Sequence, residues 1–352
     1  MAGQCKGSQN TPMLTTYDHL PTGLLELEAN QLQDALPGPS LIHLPGKRPQ
    51  PLFVSVLMHG NEVTGWQAVR ELLRKYQDRQ LPRALSLLIG NVAAAQQGQR
   101  HLPEQPDYNR IWKGEGDGPE QVMVRQVLEA MRARRPYAAI DVHNNTGLNP
   151  HYACVNRLDT AFLQLANLFS RTVVYFLKPD SVLSMAFAAI CPAVTIECGR
   201  PGEPHGTAHV MEYLDACLHL SDIPAHEVAP HDLDLFHTVA IVKVPPQVSI
   251  GQEGEVADLC LPEDLDHLNF RELAPGTVLG LIQDNLSHVA LQATNERGED
   301  VSERYFAVSD AEIRTRIPVM PSMLTMDTRI IRQDCLCYLM ERLDLQTARQ
   351  HT

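Results

Sequence analysis

The chain contains no Cys-x-x-Cys pair. Its eight cysteines (Cys5, Cys154, Cys191, Cys198, Cys217, Cys260, Cys335 and Cys337) are scattered, mostly within apolar runs. That pattern argues against a thiol-ligated zinc knuckle or a disulfide framework. It fits reduced cysteines packing as small hydrophobes in a cytoplasmic protein. Met1 to Tyr17 lacks the apolar core of a signal peptide. The longest apolar run, Val182 to Val194, is too short to span a bilayer and contains Pro192. Positive charge is scarce, with 29 Lys and Arg against 42 Asp and Glu for a net charge of −13. This excludes nucleic acid or an anionic membrane as the main partner, though a few arginines can still make a pocket locally positive. Gly114-x-Gly116-x-Gly118 and Gly251-x-x-Gly254 follow no strand and lead into no Gly-Lys-Ser/Thr, so phosphate loops are absent. There is no Gly-x-Ser-x-Gly elbow, no internal repeat and no low-complexity segment.

What remains is an ordinary globular composition, 44% hydrophobic and 20% charged over 352 residues, long enough for two domains. Residues 1–40 are polar and proline-rich, with a short amphipathic piece from Leu24 to Leu36, and Ser40–Leu44 reads as a first strand. Leu52 to Met58 has the apolar character of a strand buried on both faces, and a helix follows from about Glu62 to Tyr76. Further strands are expected at Leu85–Gly90, Tyr137–Val142, Thr172–Leu177 and Pro192–Ile196, with helices after Pro119 and over Leu158–Phe169, Ser184–Ala189 and Thr207–Leu220. This alternation predicts an α/β domain over residues 1–221, with a mostly parallel sheet flanked by helices. Residues 222–234 read as a linker to a smaller β-rich C-terminal domain, 222–352. Its strands are expected at Thr238–Val244, Val278–Gln283, Val289–Ala293 and Tyr305–Val308, with a closing helix over Ile330–Leu345.

Polar residues appear abruptly at three strand ends, where open α/β sheets bind ligands. The first end carries His59 and Glu62, the second Asp141-x-His143-Asn144-Asn145-Thr146, and the third Glu197. A His-x-x-acid pair alone is weak, since 15 His and 42 acids in 352 residues produce roughly two by chance. The chain has others at His101/Glu104, His209/Glu212 and His231/Asp234. The buried strand before His59 singles that pair out. Two histidines and one glutamate with an open fourth position suit a catalytic zinc, one per chain. Such a site needs a further carboxylate as proton carrier, for which Glu197 is the candidate, while Asp141 could orient His143. The polar stretch from Gln96 to Gly118 is too long for a plain connection and carries Arg100, Asp107, Asn109 and Arg110. Arg100 and Arg110 are fork-shaped donors suited to a substrate carboxylate. His205, His209 and Glu212 form a rival metal set on one helix, for which a half-exposed helix face is the simpler account. Cys198 would face away from Glu197, and Cys335 and Cys337 read as packing on the closing helix.

The order His59-x-x-Glu62, Asp107-x-Asn109-Arg110, Asp141-x-His143 and Glu197 resembles the succinylglutamate desuccinylase/aspartoacylase family, a branch of the zinc carboxypeptidase superfamily. The motifs cover roughly residues 50–210, and Asn269-Phe270 with Pro275-Gly276-Thr277-Val278-Leu279 resembles the family's C-terminal domain. The resemblance implies a zinc carboxypeptidase-like fold with His59, Glu62 and His143 binding zinc. It further implies that Glu197 is general base and then acid, and that Arg100, Asn109 and Arg110 hold the substrate carboxylate and help polarise the scissile carbonyl. The implied reaction cleaves the amide of a small N-acyl amino acid. A peptide-trimming carboxypeptidase and a non-catalytic zinc-binding regulator are the alternatives, and self-association is left open. Three features depart from the family pattern: a longer Arg100–Asp107 segment with Pro103 and Pro106, Tyr108 in place of an aliphatic residue, and the Gly199–Gly206 loop. All three fall where substrate is chosen.

Overall fold

The computed structural model describes residues 13–145, 147–282 and 290–344. Its strands, in chain order, are β1 Thr15–Tyr17, β2 Ser40–Leu44, β3 Gly46–Val56, β4 Leu81–Ile89, β5 Ala138–His143, β6 Tyr152–Val155, β7 Thr172–Tyr175, β8 Ala193–Glu197, β9 Asp234–Lys243, β10 Ile250–Gln252, β11 Leu259–Leu261, β12 Val278–Ile282, β13 Gln292–Thr294, β14 Phe306–Ser309, β15 Glu312–Thr315, β16 Met320–Ser322 and β17 Cys337–Arg342. The helices are α1 Thr64–Lys75, α2 Val92–Gln96, α3 Pro119–Arg134, α4 Thr160–Phe169, α5 Leu183–Phe187, α6 Pro204–His219, α7 Ser302–Tyr305 and α8 Thr328–Gln333. The expected strand ends at Gln283 and Val289, the Thr146 position and the end of the closing helix at Leu345 lie outside the described residues.

Twelve strands form one mixed sheet ordered β1-β2-β4-β3-β5-β8-β6-β7-β9-β17-β16, with β13 also on β9. Its centre, β4-β3-β5-β8, is parallel. The sequence of these strands explains their place: Phe53, Val54, Ile140, Val142, Val194 and Ile196 are buried whichever face they point to. Helix α1 lies close against this centre because Gly65 has no side chain. A Cβ there would meet Val56 Cγ1 and Val142 Cγ1 at 3.0 Å each. Pro119 opens α3, where its missing N–H costs nothing. Among the described residues no helix is long and apolar enough to cross a membrane.

A second sheet of five strands, β10-β11-β12-β15-β14, follows. Its core residues Leu259, Leu261, Leu279 and Ile313 join Val242 and Leu339 of the large sheet in one apolar cluster. The expected closing helix is corrected here. Only the short α8 forms, and the chain then turns at Asp334 and runs as β17 antiparallel to β9. The run Cys335 to Met340 is buried along its whole length, so it carries no period to separate helix from strand. Cys335 and Cys337 accordingly sit beside and within a strand, not on a helix.

Candidate functional site

Register fixes the site. β5 pairs with β8 so that His143 lies opposite Glu197 and Asp141 opposite Thr195, while Ser55 on β3 lies opposite Asp141. The parallel strands end at one edge, which brings His59 and Glu62, just beyond β3, beside His143. Leu57 takes a left-handed φ of 57° on the way to His59, a conformation that costs a branched residue energy and re-aims the chain. Gly60 is required by close approach: a Cβ would meet Ala95 N at 2.2 Å, and its own N–H donates to Arg100 O at 3.1 Å.

Glu62 lies between the two histidines. His59 Nδ1 is 2.7 Å from Glu62 Oε1 and His143 Nδ1 is 2.7 Å from Oε2. The other nitrogen of each ring is also held by a carboxylate, His59 Nε2 at 3.1 Å from Asp107 and His143 Nε2 at 2.9 Å from Asp141. Asp141 accepts from Ser55 Oγ at 2.6 Å. Asp107 accepts the Asn109 N–H at 2.8 Å and the Arg100 Nε and Nη2 donors at 3.0 and 2.8 Å. Burial opposes ionisation of Glu62, yet the charges and hydrogen bonds of His59 and His143 hold its carboxyl well below the usual range. Asp107 is held low likewise, by His59 and Arg100 against the cost of burial.

The donor set tests whether a cation fits. Two buried imidazoles facing four carboxylate contacts can be satisfied with both rings protonated. They can equally be satisfied with Nε2–H given to each aspartate and a cation accepting both Nδ1 lone pairs and Glu62. The second arrangement is the carboxylate–histidine–metal order. The ligand atoms of His59, Glu62 and His143 lie within 4.8 Å of one another, and they form the only such group among the described residues. The rival set does not assemble: His209 Nδ1 instead lies 2.7 Å from His151 Nδ1, with His205 stacked beyond, and Glu212 is exposed.

Glu197 is buried at the same edge, its Oε2 reached by Asn145 Nδ2 at 3.5 Å. Burial, helped by the charges of Glu62 and Asp141, pushes its carboxyl up to about 8, against the pull of His143 and the Asn145 amide. A carboxyl titrating near neutrality can both take and give a proton. Cys198 turns to the other face as expected, with its Sγ near His143 O at 2.8 Å in the main core.

His59, Glu62, His143, Asn145 and Glu197 line a cavity of about 1050 Å³, including its open mouth, that also takes in Arg100, Asn109, Arg110, Asn144, Tyr152 and Tyr338. Asn109 Oδ1 accepts the Leu183 N–H at 3.0 Å, which places its Nδ2 3.2 Å from His143 Nε2. The sequence reading missed Asp334. Both its oxygens accept from Arg110 Nη2 at 2.8 Å, and Oδ2 lies 3.4 Å from Arg100 Nη2. Both arginines expected to receive substrate are therefore already paired internally. Nothing in the pattern around Asp334 could have revealed this, because its position depends on the turn that replaces the expected helix. Tyr338 follows it onto β17. Tyr152 was also missed; it pairs with Glu197 across β6 and β8.

The comparisons with known proteins agree with this geometry. Residues 50–211 match the family model described as the succinylglutamate desuccinylase/aspartoacylase catalytic domain. Among solved structures, a succinylglutamate desuccinylase/aspartoacylase from Rhodobacter sphaeroides is 14% identical, with 86% of this chain and 88% of that chain covered at a TM-score of 0.57. Murine aminoacylase 3 is 16% identical, covering 84% of this chain and 96% of that one at 0.54. The ectoine utilization protein EutE (DoeB) from Ruegeria pomeroyi, in a product-bound structure, is 16% identical, covering 80% and 82% at 0.51. At these identities the likeness is one of fold. No curated protein matches the chain by sequence.

Proposed function

We propose, from the premise that residues 50–211 form a catalytic domain of the succinylglutamate desuccinylase/aspartoacylase family, that this chain is a zinc-dependent amidohydrolase cleaving small N-acyl amino acids. The observation that carries the reading is the arrangement around Glu62: two imidazole Nδ1 atoms, each 2.7 Å from a different oxygen of one carboxylate, with each Nε2 held by its own aspartate, Asp107 or Asp141.

His59, Glu62 and His143 would hold the ion, one per chain. When bound, zinc polarises a carbonyl and lowers the pKa of water enough for attack at neutral pH. Glu197 takes the proton of the attacking water and passes it to the leaving amine, a double role that suits a carboxyl poised near neutrality. Arg100 places positive charge in the cavity wall, where the carbonyl oxygen gains charge during attack. Asn109 and Arg110 position the substrate carboxylate, with Arg110 sharing its fork between that group and Asp334. Asn145 orients Glu197. Ser322, Met323 and Tyr338 of the C-terminal third also line the cavity, whose roughly 1050 Å³ suits a small amide.

The test is Glu197→Gln in protein shown to retain zinc, assayed for release of free primary amine from N-acyl amino acids. A loss of at least about a hundredfold is expected, within the range of general acid–base contributions. Near wild-type turnover with zinc bound would overturn the mechanism. Chelator-sensitive release from peptides alone would replace the proposed substrate class with a carboxypeptidase's.

A further inference from the structure

Resting on the amidohydrolase reading above, we propose that the substrate carries a single carboxylate and that its remaining group is uncharged and apolar, seated on Tyr152, Cys154, Val174 and Phe176. Two independent observations carry this.

The first is charge. Arg100 and Arg110 are matched inside the protein by Asp107 and Asp334, at 2.8 Å in each pair. The one substrate carboxylate shares Arg110 with Asp334, and a second anionic group would find no further buried guanidinium in the wall without an internal partner; burying a carboxylate without a partner is costly. The other cation of the lining, Lys178, has a side chain 42% exposed and bonds Asp180 at 2.7 Å. Asp180 also holds Lys113 at 2.9 Å, so Lys178 belongs to the solvated rim.

The second is the surface beyond Glu197. Register lays Asp141, Thr195, Cys154 and Val174 side by side across β5, β8, β6 and β7, and places Tyr152 beside Glu197. Moving away from the histidines, the cavity floor therefore changes from ionic to apolar within two strands. Cys154 and Val174 are buried, and both belong to an apolar cluster with Phe176 packed against it. Tyr152 is buried with a hydroxyl that has no hydrogen-bond partner. An apolar group seated here covers Cys154, Val174 and Phe176, and the only acceptor such a substrate can offer the Tyr152 phenol is its own amide or carboxylate. A side-chain carboxylate in the same place would meet Cys154 and Val174.

The experiment measures binding and turnover separately. Zinc-loaded Glu197→Gln protein is titrated calorimetrically with the N-acetyl derivatives of alanine, leucine, phenylalanine, aspartate and glutamate, and the wild type is assayed for amine release from the same compounds. The leucine and phenylalanine derivatives are expected to bind at least about tenfold more tightly than the aspartate and glutamate ones. Adding Phe176→Ala should weaken the phenylalanine derivative roughly tenfold while leaving the alanine derivative within about twofold. Equal or tighter binding of the acidic compounds overturns the apolar seat, even if the wild type hydrolyses them and the amidohydrolase reading stands. Tight apolar binding without turnover in zinc-loaded wild type supports the seat and overturns the hydrolase. Failure of every compound to bind overturns the proposal.

Discussion

Asp107 connects three parts of the site, so Asp107→Asn reports on all of them. One oxygen faces His59 Nε2 at 3.1 Å and takes the Asn109 N–H at 2.8 Å, while the other takes two Arg100 donors at 3.0 and 2.8 Å. The amide keeps the volume and removes the charge. Arg100, whose side chain is 9% exposed, is then left with Asp334 at 3.4 Å. Uncoupling a buried pair on one side costs about 3–5 kcal/mol, and the retained amide brings the expected loss to the lower end of that range, about 3 kcal/mol. The second effect is on the metal. Without the carboxylate behind it, His59 loses the partner that fixes its tautomer, and the site loses a negative charge. Outer-shell changes of this kind lower metal affinity about 10–100-fold, equivalent to about 1.4–2.8 kcal/mol. Denaturant unfolding of the metal-free protein reads the first term, and competition for zinc against a chromophoric chelator reads the second. Lowered stability with zinc affinity within about threefold of wild type would refute the reasoning. It would mean that Asp107 only props the loop and that His59 is not oriented as a ligand through Nε2.

Two further predictions concern the scaffold. His43 is 6% exposed beside Ser86 Oγ at 2.9 Å. Burial, with the nearby Arg134 charge, lowers its pKa from the ordinary 6.5 to about 4. Because the unfolded chain takes up this proton first, the contribution is fully present above pH 6.5 and is lost as pH falls through that window toward 4, amounting to about 1–2 kcal/mol after solvent screening. His43→Gln should flatten the acid side of a stability–pH curve measured by urea unfolding, and an unchanged slope would dismiss the assignment. Gly60→Ala should destabilise by about 3 kcal/mol or more, because its Cβ meets Ala95 N at 2.2 Å and Ala94 C at 2.3 Å, backbone that cannot swing aside. A denaturant midpoint equivalent to less than about 1 kcal/mol of loss would show that the loop after β3 yields.

The parts of this protein that were legible in the sequence are those where local pattern and tertiary demand coincide. The second half of β3, from Leu52, and the strands β5 and β8 are buried and mostly apolar because they lie at the sheet centre, and the polar residues that end them stand out against that background. Their convergence followed from parallel pairing alone, which is why His59, Glu62, His143 and Glu197 assemble as expected. The expected pairing of Arg100 and Arg110 with substrate was harder to read, because a charge in the sequence does not say which opposite charge it will meet. Asp107 is seven residues from Arg100, whereas Asp334 arrives from 224 residues beyond Arg110.

That distant partner has a physical reason to exist. The large sheet cannot end at β9 without exposing a row of unpaired backbone groups. Strands β17 and β16 cover that edge, and their arrival carries Asp334 and Tyr338 to the cavity wall. The loop after β16 is held through its backbone groups, on one side by Asn149 and on the other by Asn269. Met323 N donates to Asn149 Oδ1 at 2.9 Å, and Asn269 Nδ2 donates to Leu324 O at 2.8 Å. Gly147 fits beneath that carbonyl because it has no Cβ, which would meet Leu324 O at 2.0 Å. The C-terminal third thus has two effects at once: it seals the sheet and sets the charge of the pocket. The second is invisible to any window of sequence, since the carboxylate that neutralises Arg110 lies on a turn whose place is set by the strand that follows it.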